Sequence, residues 1–192
     1  MGTVNAIKAV WAQMQSQRYG RIVLTTSSSG LYGNFGQSNY AAAKMALVGL
    51  MQTLSLEGAR YNIRINCLAP TAITAMTAGL LPEEAVDIFT PERVSQCLVA
   101  LLRDEAPARM IMLAGGGSVE AAHITMTSGI YMSRQDNPAR KIWEQLDNIV
   151  DQAGQCVPES GWEQSKHEFH KAVHAMQCVK EGGPNIGQKL DR

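Results

Sequence analysis

Three side chains near the start of the chain have the types and spacing to move a proton: Ser27, Tyr40 and Lys44. Four residues on a helix is just over one turn, so the phenol of Tyr40 and the ammonium of Lys44 share a face and can address one small molecule together. A phenol of ordinary acidity is a poor base near neutral pH, and a neighbouring ammonium in a water-poor site favours its ionised form. A serine hydroxyl arriving from the end of a neighbouring strand can hydrogen-bond a substrate oxygen. Together they fit proton transfer to or from a carbinol or carbonyl oxygen, with the hydride left to a cofactor. Alone, the Tyr40–Lys44 spacing equally suits a solvated pair snorkelling along a helix, and Ser27 in a run of three serines equally suits loop chemistry.

These residues need elements to carry them. From Val4, apolar residues recur at Ile7, Val10, Trp11 and Met14, which predicts a helix over 3–18 ending near Tyr19-Gly20. Residues 21–27 form a β-rich run without helical period, and 28–36, with three glycines, read as a loop. Residues 38–58 are rich in Ala, Leu and Met without proline and place apolar side chains on several sides, which predicts a helix buried on more than one face. A second strand over 62–69 is halted by Pro70, and Thr90-Pro91 opens a helix carrying Val94, Leu98, Leu101 and Leu102. A third strand over 109–114 is closed by Gly115-Gly116-Gly117. The order helix, strand, helix, strand, helix, strand, with long connections, predicts a doubly wound parallel α/β sheet over 1–117. Helices from Pro138 and Trp162 predict a helical extension over 118–192 packed on it.

The chain has 192 residues, 45% of them apolar and 18% charged, enough for one substantial core. Seventeen basic and seventeen acidic residues leave a formal net charge of zero, without the excess that phosphate backbones or anionic lipid reward. Neither nucleic acid nor membrane is expected as a partner. No apolar run approaches the roughly 20 residues of a bilayer span and the first residues lack a signal-peptide pattern, so a cytoplasmic location is expected. Cys67, Cys97, Cys156 and Cys178 have no Cys-x-x-Cys spacing and read as free thiols. His167, His170 and His174 line one helix face with Cys178 a turn beyond, but one straight helix cannot wrap four ligands around a tetrahedral ion. With Lys166, Glu168 and Lys171 among them they read as an exposed amphipathic helix, and no metal is expected.

The register Ser27, Tyr40, Lys44 resembles that of the short-chain dehydrogenase/reductases, a serine followed about thirteen positions later by Tyr-x-x-x-Lys. The resemblance extends to Tyr19-Gly-Arg-Ile-Val, Asn62-Ile-Arg-Ile-Asn and Ala69-Pro70, and covers the chain from Gly2 to about Gly117. The stretch from Ser29 to Tyr40 is similar to the (3R)-hydroxyacyl-CoA dehydrogenase part of peroxisomal multifunctional enzymes and their bacterial relatives. The resemblance implies an NAD- or NADP-dependent oxidoreductase interconverting a secondary alcohol and a ketone, with a 3-hydroxyacyl compound as substrate. It makes Tyr40 the general acid/base, Lys44 the residue that binds the nicotinamide ribose and favours the phenolate, and Ser27 the group that polarises the substrate oxygen. Pro70, Ile73 and Thr74 would lie along the nicotinamide, with Tyr40 and Lys44 completing the cofactor contacts.

Two departures stand out. The family has glycine after that proline, where this chain has Thr71. The family's opening strand and glycine-rich pyrophosphate turn have no counterpart, and Gly115-Gly116-Gly117 cannot substitute because Glu120 stands where the last glycine belongs. The family's catalytic asparagine would fall just upstream of Met1, and Asn5 is not its replacement. The chain thus reads as the second half of such a domain, and weak cofactor binding by this chain alone is expected. One side of its strand set would be uncovered. The family commonly pairs the helices corresponding to 3–18 and 38–58 across a dimer axis, so a homo-oligomer is expected. A second reading is a truncated, non-catalytic remnant that serves as an interaction or dimerisation partner.

Overall fold

The structure, a computed structural model, describes residues 1–75, 82–133 and 137–180, with the side chains of 83 and 178–180 also outside the description. The chain forms two compact units, Met1–His123 and Ile124–Arg192.

In the first unit, α1 (Gly2–Gln17) ends on Arg18 in the left-handed conformation, whose N–H returns to the carbonyls of the last turn. The chain then enters β1 (Gly20–Thr25). A short helix, α2 (Ser28–Tyr32), leads through a turn to α3 (Ser38–Gly58) and on to β2 (Ile63–Thr71). Helix α4 (Pro91–Leu101), β3 (Ile111–Gly115) and β4 (Ser118–Ala122) follow. The strands lie in the order β1-β2-β3-β4, with β1, β2 and β3 parallel and β4 antiparallel to β3.

The doubly wound α/β architecture is present, because the two faces of the sheet carry different helices. Ile22, Leu24, Ile63, Ile65, Cys67 and Ile111 pack against Ile7 and Trp11 of α1 and Val48 and Met51 of α3. On the other face, Val23, Leu68, Met112 and Ala114 pack against Val94, Cys97 and Leu101 of α4. Strand β2 is covered on both faces, as the near-continuous apolar run from Ile63 to Ala69 requires. Its one buried polar side chain, Asn66, is satisfied: Oδ1 accepts from the Met110 N–H and Nδ2 donates to the Pro107 carbonyl.

Four details differ from the sequence reading. Residues 28–32 are helical, because Ser27 caps them with its side chain. Strand β2 runs through Pro70 to Thr71, since a proline lacks only the N–H and its neighbour β3 is still bonded there. The sheet continues past residue 117 into β4 across a tight turn in which Gly116 and Gly117 have positive φ. Helix α3 buries a single stripe, Val48, Met51, Ser55 and Gly58, instead of several faces. Leu47, Leu50 and Leu54 are half-buried along the margins of that stripe, whereas Met45 and Leu56 stay exposed.

The second unit holds α5 (Pro138–Glu144), α6 (Leu146–Val150) and α7 (Trp162–Lys180). The helix expected from Pro138 is broken at Gln145, which leaves two short pieces. No helix among the described residues is long and apolar enough to cross a membrane.

Candidate active site

The carboxyl end of β1 gathers the three residues that the spacing singled out. Thr26, fully buried, donates its Oγ1 proton to the Lys44 carbonyl at 2.9 Å and its backbone N–H to the Leu68 carbonyl at 2.8 Å. It thereby pins α3 to the ends of β1 and β2. Lys44 Nζ donates to the Thr25 carbonyl at 2.8 Å and lies 5.6 Å from the centre of the Tyr40 ring, within reach of a cation–π attraction. An ammonium held by a carbonyl on one side and a ring on the other is positioned rather than free to wander in solvent.

Ser27 stands two residues beyond Thr25 in extended conformation, and its Oγ accepts the Ser29 N–H at 3.2 Å as the cap of α2. Because that bond uses only a lone pair, the hydroxyl proton remains available to a substrate oxygen. Tyr40 lies on the first turn of α3, 44% exposed, so its phenol is open to solutes.

Two residues that the sequence reading did not single out belong to the segment between Ser27 and Tyr40. A Cβ on Gly30 would meet Lys44 Cβ at 2.9 Å and Met45 N at 3.0 Å, so only glycine lets α2 approach α3 this closely. Gln37, which precedes α3, has a buried Oε1 without a hydrogen-bond donor among the described residues. The Gly in Ser-Ser-Gly is a visible signal for the first; no sequence signal marks the second.

Pro70 lies at the carboxyl end of β2, adjacent and parallel to β1. Ile73 follows it, tied by its N–H to the Phe89 carbonyl at 2.7 Å, with Thr74 next, half-buried. Both groups of residues therefore sit at the same end of neighbouring parallel strands, the end at which open α/β sheets bind ligands. His167, by contrast, is in the second unit, its Nε2 3.1 Å from the Ser128 carbonyl, and Lys171 Nζ donates to that same oxygen. Among the described residues no group of three or more His, Cys, Asp or Glu is placed to hold a metal ion.

A family model described as short chain dehydrogenase matches residues 1–85. A short-chain type dehydrogenase/reductase of Mycobacterium tuberculosis is 42% identical over 153 residues, which make up 77% of this chain and 53% of that protein. The peroxisomal hydratase-dehydrogenase-epimerase of Neurospora crassa is 50% identical over 108 residues, 56% of this chain and 12% of that protein. The solved structure of full-length peroxisomal multifunctional enzyme type 2 from Drosophila melanogaster superposes with a TM-score of 0.78 at 29% identity, over 92% of this chain and 32% of that one. The chain thus spans about half the length of the mycobacterial relative and a smaller share of the other two.

Proposed function

Since the chain belongs to the short-chain dehydrogenase/reductase family, we propose that Ser27, Tyr40 and Lys44 form the proton-handling part of a site that interconverts a secondary alcohol and a ketone. The observation that carries this reading is the Lys44 ammonium between the Thr25 carbonyl and the Tyr40 ring, at the strand end where Ser27 keeps a donatable proton. In the direction of oxidation, the Tyr40 oxygen takes the hydroxyl proton of the alcohol, and Ser27 donates a hydrogen bond to the same substrate oxygen. Lys44 offsets the negative charge that the phenol carries during the transfer. In reduction the Tyr40 proton passes to the carbonyl oxygen.

The donor set fits the nicotinamide end of NAD or NADP, an ammonium beside the site with Pro70, Ile73 and Thr74 at the adjoining strand end. That cofactor, when bound, accepts or delivers the hydride. A 3-hydroxyacyl thioester is the substrate class proposed, supported by the likeness of residues 29–40 to the dehydrogenase part of peroxisomal multifunctional enzymes and by the relatives just described. Those relatives are enzymes, so the non-catalytic reading is not favoured.

NAD(P)-linked oxidation of 3-hydroxyacyl thioesters, assayed on the polypeptide as the cell makes it, tests the proposal. Tyr40→Phe is expected to lower kcat at least 100-fold with little change in cofactor affinity, because only the ionisable oxygen is removed. Turnover within threefold of wild type would remove Tyr40 from the mechanism.

A further inference from the structure

Among the described residues, one buried side-chain polar atom has no hydrogen-bond partner: Gln37 Oε1. The local fold makes no use of that side chain. Gln37 is the N-cap residue of α3, yet it forms no side-chain capping bond. Its backbone is already committed, the N–H donating to the Asn34 carbonyl at 3.2 Å and the carbonyl accepting the Ala41 N–H at 2.8 Å. Buried polar groups are almost always satisfied, because one left unpaired gives up its hydration without return, so each exception asks for a reason.

The position of Gln37 supplies one. Its carbonyl takes the first helical bond of α3, and Gln37, Tyr40 and Lys44 follow at i, i+3 and i+7, a spacing that lines side chains along one helix face with successive Cβ atoms about 5–6 Å apart. A side chain as long as glutamine, one turn ahead of Tyr40, reaches a small molecule held at the phenol. The surroundings are neutral. Residues 28–39 contain no Asp, Glu, Lys or Arg, and the Lys44 ammonium is bonded to the Thr25 carbonyl and lies over the Tyr40 ring. Asn39 Oδ1 is occupied by the Tyr40 N–H at 2.8 Å. A carboxamide carries one acceptor and two donors, and half a turn of its plane exchanges Oε1 for Nε2 in the same space. Gln37 can therefore offer a neutral donor to a carbonyl oxygen, where a carboxylate would call for a cation.

We propose that Gln37 is a specificity-determining residue, whose carboxamide donates a hydrogen bond to the thioester carbonyl oxygen of a 3-hydroxyacyl substrate while Tyr40 and Ser27 hold the oxygen two carbons away. The inference rests on the function proposed above and adds the group that tells a 3-hydroxyacyl thioester from an ordinary secondary alcohol and from a free hydroxy acid. A site built to bond a carbonyl rejects a molecule that lacks one, because its own buried amide is then left unpaired. Gln37 takes no part in proton transfer; it orients the substrate for Tyr40.

The test compares two substrates on the polypeptide as the cell makes it: a 3-hydroxyacyl thioester, and the matching thioether in which the carbonyl is a methylene. Wild type should favour the thioester at least tenfold in kcat/KM. Gln37→Met, similar in length but without the amide, should lower kcat/KM for the thioester at least tenfold, mainly through KM, and leave the thioether and the cofactor KM within twofold. Gln37→Glu, which keeps the shape and, when ionised, loses the donor, should do the same. Equal losses on both substrates would overturn the proposal, since a purely structural role moves both alike. A wild type indifferent to the carbonyl would overturn it too. Calorimetric titration of the thioester into wild type and Gln37→Met separates this inference from the proposed function. Thioester binding that weakens at least tenfold in Gln37→Met, without NAD(P)-linked turnover by wild type, would count against the proposed function and support the Gln37 contact. Normal turnover with the thioester preference unaltered in both variants would remove Gln37 and leave the proposed function standing.

Discussion

The two units of the chain are held by different physics. Among the described residues Met1–His123 has fifteen buried apolar residues, twelve of them in the two clusters on the faces of a sheet whose middle strand is covered on both sides. Ile124–Arg192 has no buried residue among those described, and its large apolar side chains, such as Trp143 and Trp162 at 77%, stand in solvent. Its internal ties are polar: Thr127 Oγ1 donates to the Ile149 carbonyl, His167 and Lys171 meet the Ser128 carbonyl, and exposed pairs such as Arg140–Glu144 decorate its helices. Burial of apolar area contributes far more per residue than exposed ion pairs, whose net worth is about 0–1 kcal/mol. The proposed chemistry accordingly sits where rigid elements can hold it.

The sharpest break in this comparison is a cavity. Met51→Ala or Ile65→Ala, both fully buried in the first unit, should cost about 2–5 kcal/mol in urea unfolding. Trp143→Ala in the second unit should cost no more than about 0.5 kcal/mol. Equal losses would mean that the exposed aromatic residues of the second unit contribute as the core does.

Next in size is Gly30→Ala, which pushes a methyl group into Lys44 and Met45 and should destabilise by about 1–3 kcal/mol. It should also lower turnover, because α2 carries the Ser27 cap. Retention of both stability and activity would show that the α2–α3 contact does not set the site.

A smaller effect is expected from Lys171→Met, which removes the donor to Ser128. About 1 kcal/mol should be lost, visible as faster hydrogen exchange confined to residues of the second unit. Uniform acceleration across both units would contradict their separate construction.

The last contrast concerns thiols and pH. Burial pushes the Cys67 thiol up to about 12 from an ordinary 9.0, because the thiolate would lie in an apolar interior. Its folded pKa is raised, so its contribution to stability is complete below pH 9 and is lost as pH climbs from 9 toward 12. Cys67→Ala should flatten that part of the stability–pH curve. In native protein at pH 8, iodoacetamide should modify exposed Cys156 long before Cys67 or Cys97, both buried. Rapid alkylation of Cys67 would deny the first unit its closed core.

Much of the fold was legible in particular residues. The unbroken Ala-Leu-Met run defined α3 from Ser38 to Gly58, and the apolar stretch after Asn62 marked β2. Thr90-Pro91 located the start of α4, although Thr90 caps it without a side-chain bond. The Ser27 cap was missed because Ser28-Ser29-Gly30 has loop composition, whereas in the fold Ser27 caps a short helix whose Gly30 packs closely on α3. Strand β4 was missed because Ser118–Ala122 has no strong alternation and depends on pairing with β3. The single buried stripe of α3 was equally out of reach, since hydrophobicity reports what a helix could bury and not what its own chain supplies to cover it.

For the candidate site, local sequence determined that Tyr40 and Lys44 share a helix face, because helical geometry alone sets a four-residue separation. Its match to a family register suggested which serine belongs with them. Only tertiary structure decided that the Lys44 ammonium bonds the Thr25 carbonyl nineteen residues away, that Thr26 anchors α3 to the ends of two strands, and that Pro70 and Ile73 follow at the adjoining strand end. Those relations come from parallel strands ending side by side, and pairing between distant segments is a property of the packed sheet that no local pattern encodes.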